Sequence, residues 1–242
     1  MKKHVPNFLT LLNLLSGCMA IVAISGGELV QASWWIILAA IFDLLDGLMA
    51  RLLDATSEIG KQLDSLADVV SFGVAPGFML YTLIGNASLN HFNNSDAYTV
   101  WAYAGFLIPA FAALRLAKFN TDDEQKYEFK GLPTPVTALF VLSIPIALNC
   151  QLVVVPWLNS LYGNPWALIG ISLGLSALMI SPLKLFSLKF KSIQWKYNRA
   201  RVIIIVTGLA LFFSFRFASV PFIIILYIIL SQLNLNDPEQ KI

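Results

Sequence analysis

Four aspartates stand in two pairs inside one of the most apolar parts of the chain. Asp43 and Asp46, with Gly47 and Ala50, are spaced i, i+3, i+4 and i+7; Asp64 and Asp68 follow at i and i+4. Each set falls on one face of a helix. A charge-free run from Trp34 to Phe42 leads into Asp43, and another from Val69 to Ile84 follows Asp68. An ionised carboxylate in hydrocarbon costs at least ~2.5–3.5 kcal/mol, so something must offset four of them. Only Arg51 and Lys61 are cationic between Asp43 and Asp68, too few to neutralise the cluster. Carboxylates crowded in this way either take up protons or hold metal. Oxygen donors without Cys or His select hard cations, Mg²⁺ first, then Mn²⁺ or Ca²⁺. Four acids can hold two ions, the arrangement that clamps phosphate oxygens during displacement at phosphorus. Gly47 and Ala50 strip bulk from the same face, so a substrate can approach the backbone, and Arg51 can pair with a phosphate. A purely structural role for four such carboxylates is the weaker reading. A divalent-cation transporter lined by the acids is the alternative from another functional class, but it leaves Gly47, Ala50 and Arg51 without a purpose.

The elements that must position these side chains follow from the residues between them. Asp54, Ala55, Thr56, Ser57 and Glu58 read as a short polar loop. Two helices joined by so short a loop lie antiparallel and adjacent, so the carboxylates converge a few turns from the loop. Taken together, the pattern Asp-x-x-Asp-Gly-x-x-Ala-Arg, eight residues, Gly-x-x-x-Asp-x-x-x-Asp resembles the signature of the CDP-alcohol phosphotransferase family without a departure. Asp43, Asp46, Gly47, Ala50, Arg51, Gly60, Asp64 and Asp68 carry it.

The resemblance implies a two-metal site, Mg²⁺ or Mn²⁺, held by Asp43, Asp46, Asp64 and Asp68, with Asp68 as general base. It implies CDP contacts from Asp46, Gly47, Ala50, Arg51, Gly60 and Asp64, and it draws Asn13 to the nucleotide. On residue type alone Asn7, Thr10 and Asn13, which step along one side of the first helix, read as a cap and simple packing. Two further stretches, Arg-Leu-Ala-Lys-Phe-Asn at 115–120 and Gly-Leu-Pro-Thr-Pro at 131–135, look like the phosphatidylserine synthase branch. That branch commonly has Arg where this chain has Lys118, which keeps the charge but not the bidentate fork. The branch implies CDP-diacylglycerol and L-serine as substrates, phosphatidylserine and CMP as products, and a homodimer. Arg115, Lys118 or Asn120 would grip the serine carboxylate or the lipid phosphate. Within the family, another acceptor such as glycerol phosphate or inositol phosphate is the runner-up.

The rest of the chain supplies the setting. Its 242 residues are 57% hydrophobic and 12% charged, with a mean hydropathy of +0.72, which is the composition of an all-α polytopic membrane protein. Apolar segments run from Phe8 to Ile24, Ser33 to Leu53, Gly60 to Ile84 (bent at Pro76 and Gly77), Tyr98 to Phe119, Pro135 to Val155 and Trp166 to Ile180. The block from Val202 to Leu233 is too long for one span and reads as two helices broken at Arg216 and Ser219. The expectation is about eight spans in one domain, a catalytic core near 1–180 and extra helices near 200–233. Of the 16 lysines and arginines, all but Arg216 fall on one side if the N-terminus is inside. By the positive-inside rule that places both termini and the aspartates on the cytoplasmic side, in keeping with a prokaryotic cytoplasmic membrane.

Other signals are bland. Asp122, Asp123 and Glu124 read as a solvated loop patch. The basic run Lys184 to Arg201, with Phe190, Trp195 and Tyr197 interleaved, reads as an interfacial anchor. Cys18 and Cys150 show no metal spacing. The N-terminal apolar run reads as a first span rather than a signal peptide, since no Ala-x-Ala site follows Ala23. His4 and His91 fall on opposite sides of the membrane, and no nucleic-acid motif is present.

Overall fold

The computed structural model describes residues 4–92, 100–121, 129–149, 156–185 and 195–234. Lys2, Lys3, Lys126, Lys189, Lys191 and Lys241, the acidic patch Asp122 to Glu124, Cys150 and Phe190 lie outside the described residues. Helices build the architecture: α1 His4–Ser25, α2 Leu29–Leu52, α3 Glu58–Asp68, α4 Ala75–Phe92, α5 Leu107–Thr121, α6 Thr134–Asn149, α7 Pro156–Tyr162, α8 Pro165–Ile180, α9 Trp195–Phe215 and α10 Val220–Asn234. Among the described residues four helical stretches are long and apolar enough to cross a membrane: His4–Ser25, Glu58–His91, Val100–Thr121 and Val202–Leu233.

The distribution of side chains on α1 is the reverse of a water-soluble helix. Pro6, Thr10, Asn13, Gly17 and Ala20 face inward, while Phe8, Leu15 and Val22 are more than half exposed. Small and polar residues let helix backbones approach closely, and large apolar chains on the outside suit a lipid surrounding. α2 repeats the pattern, burying Ala32, Ser33, Ile36 and Ala39 and exposing Trp34, Leu44 and Leu52. It packs along α1, and the Ser33 hydroxyl donates to the Leu142 carbonyl of α6 at 3.1 Å. Phe72, Met79, Ile84, Ile108, Leu142 and Leu168 fill the centre.

The link between α2 and α3 is the short loop that the sequence predicts. Leu53 and Ala55 return their N–H groups to Met49 and Ala50 carbonyls, each at 2.9 Å, and Asp54 reverses the chain with φ 47°. Asp tolerates that left-handed backbone better than most side chains. Ser57 caps α3, its hydroxyl accepting from the Gly60 N–H at 3.0 Å, a donor that otherwise has no partner in the first turn. The irregularity in the third apolar segment lies one turn earlier than Pro76 and Gly77. Val69–Val74 form a π-helical turn directly after Asp68, and the Ala75 N–H reaches back five residues to the Val70 carbonyl. Pro76 has no N–H to close the regular ladder, and its ring crowds the turn that precedes it.

Of the span expected from Pro135 to Val155, α6 covers the part up to Asn149, and residues 150–155 lie outside the described residues. Two features depart from the sequence expectation. The segment 156–162, expected as a loop, is a short helix, with Pro156 at its start, a position where the missing N–H costs nothing. Finally, a two-residue antiparallel pair joins β1 Phe129–Lys130 to β2 Lys184–Leu185. The Gly131 and Leu132 N–H groups then donate to the Leu183 and Leu178 carbonyls, both at 2.9 Å. Gly131 has φ 76°, and a Cβ there would collide with the Met179 carbonyl oxygen. Gly131 to Pro135 is therefore a clasp on the exit of α8 as well as the start of α6. The C-terminal helix α10 packs against β2 and against α6. As expected, the Val202–Leu233 block breaks at Arg216, which has φ 50° and opens a short 3₁₀ turn, Arg216–Ser219. α10 then folds back on α9, and Phe217 meets the Trp34 ring at 5.7 Å.

Candidate active site

The loop between α2 and α3 brings two half-turns of aspartate together. One carboxylate oxygen each from Asp43, Asp64 and Asp68 lies within 4.8 Å of the other two. Asp68 is buried, and Asp43 and Asp64 are half-buried. Hard divalent cations bind oxygen at about 2.0–2.6 Å, so donors at these separations can share an ion. The donor set is all carboxylate, the chemistry of Mg²⁺, Mn²⁺ or Ca²⁺ rather than of a softer metal. The residues thus fit a divalent cation.

Asp46 stands outside this tight group. It accepts a 2.6 Å hydrogen bond at Oδ2 from the Thr10 hydroxyl, which also approaches its own helix at the Pro6 carbonyl, 3.1 Å away. Asp46 and Asp64 instead border a cavity of about 540 Å³ that Gly47, Ala50 and Gly60 also line. Spacing predicts four converging acids; the structure groups three, of which Asp64 reaches the cavity, and sets Asp46 on the cavity wall. A Cβ added at Gly47 would meet nothing within 4 Å, so its bare backbone faces open space. Arg51 is exposed and turns its Nε onto the Gly47 carbonyl at 2.9 Å.

Asn13 is fully buried. Its Nδ2 donates to Asp68 Oδ1 at 3.3 Å, tying α1 to the acid cluster, and its Oδ1 has no hydrogen-bond partner. Asn13 therefore does more than pack α1: it contacts the acid cluster directly. Arg115 on α5 has a buried Nε without a partner and lies within electrostatic reach of Asp68. Lys118 is exposed. Asn120 gives its side-chain N–H to the Ser65 hydroxyl at 2.8 Å and its carbonyl to Lys61 Nζ at 3.4 Å, which fastens α5 to α3. The three residues expected to grip the acceptor thus separate: Arg115 turns to the acids, Lys118 faces out, and Asn120 is engaged elsewhere.

The cavity has lining residues that sequence reasoning did not assign to a site: Pro6, Asn7, Thr56, Ser57, Glu58 and Lys61. Spacing hinted at Asn7, which shares a helix face with Thr10 and Asn13, but a capping role explained it equally well. The loop residues carried no signal, because their approach to α1 is a tertiary event.

Residues 3–180 match the model of the CDP-alcohol phosphatidyltransferase family. A curated CDP-diacylglycerol–serine O-phosphatidyltransferase of Helicobacter pylori is 34% identical over 207 residues, 84% of this chain and 80% of that protein. A protein of the same name from Methanocaldococcus jannaschii is 35% identical over 74% of this chain and 72% of its own length. Another from Bacillus subtilis is 31% identical over 75% of this chain and 89% of its own length. The family match covers residues 3–180, a stretch that contains Asp43, Asp46, Asp64 and Asp68, and the chain belongs to the CDP-alcohol phosphatidyltransferase family.

Proposed function

We propose that this protein transfers the phosphatidyl group of CDP-diacylglycerol to L-serine, giving phosphatidylserine and CMP. The observation that carries the reading is the group of Asp43, Asp64 and Asp68 oxygens within 4.8 Å, beside the cavity that Asp46, Gly47 and Ala50 line. The serine acceptor rests on the relatives, whose name specifies it.

Asp43, Asp46, Asp64 and Asp68 would hold Mg²⁺ or Mn²⁺. When bound, the cations draw negative charge from the diphosphate oxygens and ease the departure of CMP. Gly47, Ala50 and Gly60 leave space for the CDP part, and Arg51 at the rim supplies positive charge. Asp68 takes the proton of the serine hydroxyl as that oxygen bonds to the lipid-side phosphorus, and the bond from this phosphorus to the CMP oxygen breaks. Asn13 holds Asp68 at Oδ1 and fixes its direction for this task. Arg115, whose buried Nε is unpartnered, is the best placed of the three candidates to meet the serine carboxylate or the lipid phosphate.

In this reading the chain is one membrane domain with eight spans, both ends cytoplasmic and the site open to the cytoplasm of a prokaryote. The four long stretches, α2, α6 and α8, and the division of the last block at Arg216 support that count. The enzyme is a homodimer, with acyl chains entering sideways between helices. The test is CMP release by purified protein supplied with CDP-diacylglycerol, Mg²⁺ or Mn²⁺, and a panel of alcohols. Release with L-serine alone, lost with EDTA and in Asp68→Ala, is the expected result. Release only with another alcohol would transfer the acceptor assignment, and metal flux without CMP release would replace the reaction altogether.

A further inference from the structure

The π-turn after Asp68 makes a contact that the reaction above does not use. Ser71, three residues beyond Asp68, is fully buried. Its hydroxyl donates to the main-chain carbonyl of Asn13 at 3.0 Å, the same residue whose side chain donates to Asp68. One helical residue of α1 is thus gripped from two positions of the α3–π-turn segment. A third element keeps the grip tight. Gly17, one turn after Asn13, has no side chain, and a Cβ there would lie 2.5 Å from Ser71 Oγ and 2.9 Å from Ser71 Cα. The α1 backbone could not approach Ser71 so closely with any larger residue. An isolated π-turn inside a helix is rare and recurs at functional sites; here it lets Asp68 and Ser71 both engage Asn13.

We propose that Ser71 is a positioning residue for Asp68, acting through Asn13: by fixing the Asn13 main chain, its hydroxyl sets the direction from which Asn13 holds the Asp68 carboxylate within the acid cluster. Outer hydrogen bonds of this kind orient the groups that ligate metal, and losing one typically costs about 10–100-fold in metal affinity or activity. The effect on turnover rests on the proposed transferase reaction; the effect on metal binding does not.

The test uses full-length wild type, Ser71→Ala and Ser71→Cys in detergent or lipid nanodiscs. Mn²⁺ affinity is measured by electron paramagnetic resonance, unfolding by thermal scan, and CMP release with L-serine under saturating and limiting CDP-diacylglycerol. Ser71→Ala should weaken Mn²⁺ binding about 10-fold. It should lower kcat by a similar factor while KM for CDP-diacylglycerol stays within about twofold, with the thermal midpoint unchanged. Ser71→Cys, equal in size and a weak donor, should lie between alanine and wild type. Wild-type Mn²⁺ affinity in Ser71→Ala overturns the proposal. So does a fall in affinity that tracks a fall in thermal midpoint and is as large in Ser71→Cys, which would mark simple packing. If wild type releases no CMP with any alcohol, the proposed reaction fails, and the Mn²⁺ measurements still decide the role of Ser71.

Discussion

Thr10 and Asp46 meet at 2.6 Å in a buried setting, and a hydrogen bond to a charged group contributes about 1.5–3 kcal/mol. Replacing Thr10 by Val keeps the shape and removes the donor. With Asp46 on the cavity wall, kcat/KM for CDP-diacylglycerol should fall about 10-fold or more, while Thr10→Ser, which keeps the hydroxyl, should stay close to wild type. Steady-state kinetics on the two variants would show it; equal values for Val and wild type would remove Thr10 from the site. The same scale explains what was readable in advance. Asp43, Asp64 and Asp68 announce themselves because ionised groups in apolar sequence are costly and helical spacing tells which of them share a face. Ser71 announces nothing: a serine among apolar residues is common, and its partner is a main-chain carbonyl 58 positions away.

Among the elements, two glycines of opposite surroundings separate fold from site. At Gly131, φ 76° and the nearby Met179 carbonyl leave no place for a side chain. Left-handed backbone alone costs an L-residue roughly 1–2 kcal/mol, and the clash adds to it. Gly131→Ala should lower the thermal midpoint by several degrees and reduce the yield of folded protein. At Gly47 there is open space within 4 Å, so Gly47→Ala should unfold at the wild-type temperature. It should nonetheless raise KM for CDP-diacylglycerol, because the methyl group enters the cavity. Thermal scans beside kinetics distinguish the two. Helix positions were legible because apolar runs of membrane length have few alternatives. The π-turn and the β1–β2 pair were not. The first depends on Pro76 together with the fit of Ser71 against Gly17, and the second on a chain reversal that only the α8 exit makes favourable. Prolines 133 and 135 pointed to a helix start, which is there, but gave no sign of the clasp.

For the whole molecule, large apolar side chains such as Phe8, Trp34 and Leu44 cover the outside, so lipid or detergent, not water, is the medium in which the fold is stable. Its family and its apolar helices make it an integral membrane protein. Within that shell the close approach of the Asp43, Asp64 and Asp68 oxygens is repulsive when all three are ionised, and a cation among them removes that repulsion. Mg²⁺ or Mn²⁺ should therefore stabilise the native state by mass action, by about 2.7 kcal/mol at a hundredfold excess over Kd. The expected result is a rise in thermal midpoint on adding Mn²⁺ to EDTA-treated protein, absent in Asp43→Asn. An equal rise in that variant would place the ion elsewhere.

The clasp also imposes an order in time. The Gly131 and Leu132 amides find their acceptors at Leu183 and Leu178, residues translated about fifty positions later. At roughly 5–20 residues per second, the ribosome delivers those carbonyls about 3–10 s after the amides that await them. The aspartate hairpin, complete by residue 68, can close well before then. A nascent chain arrested shortly after Asp68 would carry the acids without the clasp, and the segment that leads into α6 reaches its final place only when α8 has been made.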